Sequence, residues 1–201
     1  MSNIIISPQN FLALDLELNT DQQGNTTKII QVGIAVGNIN NIDNIKTFKW
    51  YIDPKEPITP YITELTGISQ DDINSKSVSH QQVASDLANI IQEYQPFVNP
   101  IQWGHDDNTE LLQEFKDNNV SFPFFGHRAI DVKTIYLFLQ AAKNNSLKGG
   151  LRSSMTRYKL HFKGEPHRAD IDAYNTLIFF FYLLNRQHQL DSILSNAKSI
   201  L

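Results

Sequence analysis

Apolar and polar positions change their period part-way along this chain of 201 residues. Phe11 to Leu18 alternates, and Ile29 to Val36 and Thr47 to Ile52 are rich in apolar or β-branched residues. Asn, Gly and Asp clusters separate the three runs, so they predict strands joined as an antiparallel meander. From Pro60 onward the pattern turns helical. Ser79, three residues before Gln82, predicts a capping box opening an amphipathic helix to about Tyr94. A short strand over Phe97 to Trp103 is expected next, then helices over Asp107 to Asn118, Asp131 to Lys143, Gly150 to about Leu160 and Arg168 to Asn185. A last short helix is expected from about Leu190 to Ile200. Three strands followed by strands alternating with helices favour an α/β fold, a mixed sheet covered by helices on both faces. No repeat, Gly/Ser linker or charged block suggests a boundary, so one domain over 1–201 is expected, its core from about 11 to 184.

Composition narrows the chemistry. There is no cysteine, which removes disulfides and thiolate zinc sites. The N-terminal stretch lacks a basic region and a small-residue cleavage site, and the longest wholly apolar run, Leu177 to Leu184, is too short to span a bilayer. The expectation is a cytoplasmic protein with no membrane segment. Net charge is -4, unevenly distributed. Between Lys143 and Arg168 seven cations stand against the single acid Glu165. That strip is either a solvated helix face with its loops or a surface for an anionic partner.

On an alternating strand, Leu12, Leu14, Leu16 and Leu18 share one face, while Asp15 and Glu17 share the other with Phe11 and Ala13. The two carboxylates stand about 7 Å apart at their Cα atoms. In a central strand they need a cation, either Lys/Arg or a metal, because desolvating an unpaired carboxylate is costly. An edge strand with a solvated face would show the same pattern. Further acids occur at Asp106 and Asp107, and at Asp172, which shares a helix face with Asn175 and Thr176. His167 lies five residues before Asp172. Four carboxylates could hold two divalent cations, and an imidazole can take a proton from water at neutral pH. This is chemistry suited to phosphodiester hydrolysis.

The segments Asp15-Leu-Glu17, Trp103-Gly-His-Asp-Asp107 and His167-x-Ala-x-x-Asp-Ala-x-x-Thr176 resemble the three motifs of the DnaQ-like, or DEDDh, 3′-to-5′ exonucleases. Lys28-Ile-Ile-Gln-Val-Gly33, Leu65-Thr-Gly-Ile68 and Asp131-Val-Lys-Thr134 resemble supporting segments in the same order. The resemblance implies an RNase H-like mixed five-stranded sheet, two Mg²⁺ or Mn²⁺ ions, and release of nucleoside 5′-monophosphates from the 3′ end of single-stranded RNA or DNA. It implies Asp15, Glu17, Asp107 and Asp172 as metal ligands and His167 as general base. Histidine five residues before the last Asp, with Arg168 where the sister subclass has Tyr, resembles the histidine subclass. The Gly104-x-x-Asp107 spacing resembles the Eri-type and KapD-type branch, associated with RNA ends.

Leu18, Asn19, Leu65, Ile68 and Arg168 are the substrate-binding candidates. Leu18 and Asn19 stand where many relatives have threonines, and Asn19 can hydrogen-bond a sugar or phosphate oxygen. Leu65 and Ile68 either line the terminal-base pocket or form a hydrophobic staple. Asp106 and Asp107 compete for the second-motif position, the other capping the following helix. His80, His105, His127, His161 and His188 have no zinc-like spacing, and Trp103 and Phe179 to Phe181 read as core. Asp131 and Asp170 read as a helix cap and a first-turn acid. Two rival functions remain: a binding module that has kept the fold, and an endonuclease or oligonucleotide hydrolase on it.

Overall fold

A computed structural model describes residues 10–198 except 21–22, 24–25, 105, 123–124 and 127. Three long strands, β1 (Asn10–Thr20), β2 (Thr26–Asn38) and β3 (Asn41–Tyr51), form the expected antiparallel meander. Two very short strands, β4 (Ile101–Gln102) and β5 (Ile130–Asp131), continue the sheet in parallel, giving the order β3-β2-β1-β4-β5. β1 is therefore central, with partners on both sides, and the edge-strand reading of its acidic face does not hold. The sheet is the mixed five-stranded one expected.

Alternation along β1 sorts its side chains between two cores. Leu12, Leu14 and Leu16 pack with Val83 and Leu87 of α3 (His80–Tyr94) and with Leu111 and Phe115 of α4 (Asp107–Asp117). Phe11 and Ala13 face the other way, onto α5 (Val132–Ala141), α6 (Leu151–Arg157) and α7 (Ala169–Lys198). Helices thus cover both faces. Two seven-residue helices, α1 (Pro60–Thr66) and α2 (Gln70–Lys76), close a smaller core around Ile30, Tyr51, Ile62, Ile68 and Ile73. Each is too short to show a helical period.

The elements depart from expectation for local reasons. The strand expected over Phe97 to Trp103 shortens to Ile101–Gln102. Pro96 and Pro100 donate no ladder hydrogen bond; Phe97 N–H reaches Asn10 O at 2.9 Å, while Val98 O and Pro100 O accept from Gly126 N–H and Ile130 N–H, both at 2.8 Å. At α3 the capping box is half made: Ser79 accepts from Gln82 N–H, whereas the Gln82 side chain turns to Asp86 at 2.8 Å. The reciprocal box forms at Ser69 and Asp72. α6 ends at Arg157, short of Leu160, as the chain turns into the left-handed region at Lys159. A break after Asn185 does not occur, and α7 runs unbroken for 30 residues. The polar stretch Arg186 to Gln189 contains no glycine or proline, so polarity alone does not end the helix. Ile200, the expected end of a final helix, lies outside the described residues.

The start of α7 is held close against the sheet. A Cβ built on Gly33 would lie 2.0 Å from the Ala169 carbonyl carbon, so only glycine lets the helix sit there. Gly33 pairs with Asp15, and Gln31 with Glu17. The Gln31 Oε1, fully buried, accepts from Ala169 N–H at 2.9 Å. From β3, Lys49 pairs with Gly33 in register and places its Nζ 3.4 Å from Asp170 Oδ2. We expect Gly33→Ala to destabilise the protein by about 3 kcal/mol through overpacking, read as a drop of about 6 to 12 °C in Tm. An unchanged Tm would show that α7 is not seated on this glycine.

Candidate active site

Asp15 and Glu17 project from the α7 side of β1, and Asp172 projects from the first turn of α7. Asp107 opens α4, beyond the end of β4. These four acids and His167 line one cavity of about 920 Å³, together with Leu18, Trp103, the first turn of α6 and Phe162. Ligand atoms of Glu17, His167 and Asp172 all lie within 4.8 Å of one another.

Each carboxylate arrives by a separate local device. Asp107 is 5% exposed, and the Leu16 backbone of β1 partly offsets the effect of that burial on its carboxyl. Asp106 occupies the N-cap position of α4, stays exposed and makes no capping hydrogen bond. Between Asp106 and Asp107, it is therefore Asp107 that lines the cavity. Gly104 makes the approach to α4 in the left-handed region (φ 73°), and its N–H donates to Asp131 Oδ1 at 2.8 Å. Asp131 caps α5 as expected. His167 also has positive φ (61°), and its backbone N–H donates to Asp172 Oδ2 at 2.8 Å. The buried Asn175 secures the preceding loop, accepting from Lys163 N–H and donating to Lys163 O, both at 2.9 Å.

The electrostatics are unfavourable for the acids alone. Burial, reinforced by the charges of Asp107, Glu17 and Asp172, raises the Asp15 pKa well above its ordinary value. Burial followed by the charges of Asp172 and Asp107 pushes Glu17 up to about 8. Asp107 is pushed up to about 7, chiefly by burial and then by Glu110. Asp172 is raised by burial, partly offset by its hydrogen bond from His167. Among the described residues no Lys or Arg makes an ion pair with any of the four. Arg168 only partly opposes the shift at Glu17. The group is short of positive charge, and its all-oxygen carboxylate donors suit hard divalent cations such as Mg²⁺ or Mn²⁺.

The other sequence candidates sit differently. Leu18 reaches the cavity wall. Asn19 is 1% exposed and spends its amide on the chain 40 residues on: it donates to Glu56 Oε1 at 2.8 Å and Pro57 O at 3.1 Å, and accepts from Thr59 N–H at 2.9 Å. Ile68 lies in the small core under α1 and α2, and Leu65 is exposed on α1. Neither lines the cavity. Arg168 is half-buried, its Nε without a hydrogen-bond partner among the described residues. His105 and His127 lie outside the described residues. His80 pairs with Glu114 at 3.0 Å, away from the cavity. Trp103 packs against Tyr136 and Phe179 and also borders the cavity. Residue-by-residue reading missed Gln31 and Gly33 as the seat of α7, and Arg152, Ser153, Thr156 and Phe162 as part of the cavity lining. Gln31 and Gly33 were present in the Lys28 to Gly33 segment, but a glycine in a strand does not announce its neighbour.

A central mixed sheet with four converging acids and a neighbouring histidine defines a nuclease-like class. Residues 12–180 match the RNase_T family model, described as exonuclease, and the chain belongs to that family. The chain is 28% identical over 189 residues to a DNA polymerase III PolC-type of Mycoplasmopsis pulmonis, covering 91% of this chain and 12% of that protein. It thus spans about one eighth of that relative. Among solved structures, the nuclease domain of 3′hExo, a DEDDh family member, bound to rAMP, superposes with a TM-score of 0.75 at 16% identity, covering 89% of this chain and 92% of that one. Cell-death related nuclease 4 (CRN-4) superposes with a TM-score of 0.74 at 20% identity, covering 89% and 64%. At these identities the structures establish the fold. Family membership supports nuclease activity, in accord with the resemblance of the motifs to DnaQ-like exonucleases.

Because the folded pKa values of Glu17 and Asp107 are raised, the metal-free protein binds more protons folded than unfolded. The contribution of these two groups to stability is full below the ordinary carboxylate range and is lost as pH rises through about 7 and 8. Calorimetry without divalent ions is expected to show a lower Tm at pH 8.5 than at pH 5.5. Adding Mn²⁺ at pH 8.5 is expected to restore it, and Asp15→Asn to remove most of that response. A metal-free Tm that rises with pH across this window would contradict the arrangement.

Proposed function

We propose that this chain is a 3′-to-5′ exonuclease that hydrolyses phosphodiester bonds at the end of a single strand of RNA or DNA and releases nucleoside 5′-monophosphates. The observation that carries this reading is the convergence of four carboxylates, Glu17 and Asp107 buried and Asp15 and Asp172 half-buried, unpaired with Lys or Arg among the described residues, beside an exposed histidine. Asp15, Glu17, Asp107 and Asp172 would hold two Mg²⁺ or Mn²⁺ ions. When bound, such ions supply positive charge to the scissile phosphate and make water a better nucleophile.

The chain's own residues supply the remaining steps. His167, fixed by its backbone N–H to Asp172 but with its ring exposed, accepts the proton of the attacking water as general base. Leu18 and Trp103 form part of the wall against which a terminal nucleoside can lie. The cavity holds the nucleotide and excludes bulk water from the carboxylate side. The Gly104-x-x-Asp107 spacing resembles that of the Eri-type and KapD-type branch, associated with RNA ends, and both RNA and DNA are substrates to be compared. A non-catalytic binding module has less support, since all five positions carry chemically competent groups and face one space.

Single-stranded RNA and DNA labelled at the 5′ end, incubated with Mg²⁺ or Mn²⁺, should give a ladder descending from the 3′ end. Asp15→Ala should lower the rate by at least about 10³-fold, and His167→Ala by about 10²- to 10⁴-fold. At saturating Mn²⁺ the acid limb of the pH profile should disappear in the residual activity of His167→Ala. Cleavage within a circular single strand would make the protein an endonuclease, and no cleavage with either ion would favour a binding module.

A further inference from the structure

The first turn of α6 also lines the cavity, and there Arg152 sits exposed with its guanidinium 5.8 Å from the centre of the Phe162 ring. At the other end of α6, about 9 Å along the axis by helical rise, Tyr158 collects two further cations. Lys143 Nζ lies 5.2 Å and the Arg186 guanidinium carbon 5.3 Å from the centre of its ring. The neighbouring Arg157 is held by Gln140 Oε1 at 3.3 Å and Ser146 O at 3.5 Å. Gln140 is buried and also donates to the Tyr158 hydroxyl at 3.1 Å, tying Arg157 and the aromatic platform into one unit. Among the described residues none of these four cations has a carboxylate within ion-pair distance. Like charges gathered on one ring without counter-ions, at the end of a helix whose first turn lines the cavity, suit an extended anion.

We propose that α6 is the bed for the strand upstream of the reacting nucleotide, with Arg152 meeting the backbone at the cavity and Lys143, Arg157 and Arg186 meeting phosphates farther along, around Tyr158. The ligand is the sugar-phosphate backbone of a single strand, read by charge and without base sequence. This inference rests on the exonuclease reading for its direction, with the 3′ end in the cavity. It assigns the basic strip of the sequence a partner and adds Arg186, which is remote from that strip in sequence.

The test is fluorescence anisotropy of a 5′-labelled 20-nucleotide single strand on the full chain, in buffer without divalent ions, across a salt series. In Lys143→Gln/Arg186→Gln, the slope of log affinity against log salt should flatten by about 1.4, and affinity at 0.1 M salt should fall about 25-fold, two lost single-strand contacts at about 0.7 each. Lys143→Arg/Arg186→Lys should restore the slope, which a merely folded but repacked protein would not do. The ratio of kcat/KM for the 20-nucleotide strand to that for a dinucleotide should fall with it. An unchanged slope in a protein that cuts from the 3′ end overturns the bed alone. A flattened slope in a protein that does not cut supports the bed and overturns the hydrolytic reading. Polyglutamate that competes as strongly as the strand would overturn the nucleic-acid assignment in favour of an acidic protein surface.

Discussion

Crowding of negative charge is the constraint on which this molecule turns. Removing a carboxylate from water without a partner costs on the order of several kcal/mol, and here four are drawn to one cavity, with Arg168 giving partial relief at Glu17 and the His167 backbone at Asp172. Such an arrangement persists only if the surrounding fold over-determines it. The two cores on either face of β1 fix the strand, and three separate ties fix the start of α7: a glycine seat, a glutamine acceptor and a lysine ion pair. The stored unfavourable energy is then available to bind cations.

The long antiparallel strands and the two short parallel ones divide the labour. β1, β2 and β3 supply the rigid platform and two of the acids. β4 and β5, only two residues each, set the points where α4 and α5 leave the sheet. Asn108 joins that exit to β4 and to the following loop, through Gln102 Oε1 and Gly126 O, both at 3.3 Å. Strands this short contribute little pairing energy, so their position depends on side-chain bonds of this kind.

Much of this was legible in the chain, because the informative features are local. The alternation of β1 placed Asp15 and Glu17 together on one face, and the helical offsets of Asp172, Asn175 and Thr176 placed them on another. The meander followed from β-branched runs and turn residues. What was hidden depends on tertiary approach. Ile68 lies in a core built by two helices too short to display a period, and Asn19 is occupied by chain 40 residues distant. The continuity of α7 past Asn185 was obscured because a polar stretch resembles a loop until proline or glycine is required to end the helix. Part of the cavity lining comes from α6, whose residues carry no motif.

The length of α7 has a practical consequence. Thirty residues make a rod of about 45 Å, with Asp172 in its first turn and the exposed Leu190 near its other end. Position 190 therefore stands roughly 27 Å along the axis from the acid, at a spacing set by continuous helical hydrogen bonds. A dye attached there and an emissive lanthanide at the carboxylates would make the protein its own spectroscopic ruler.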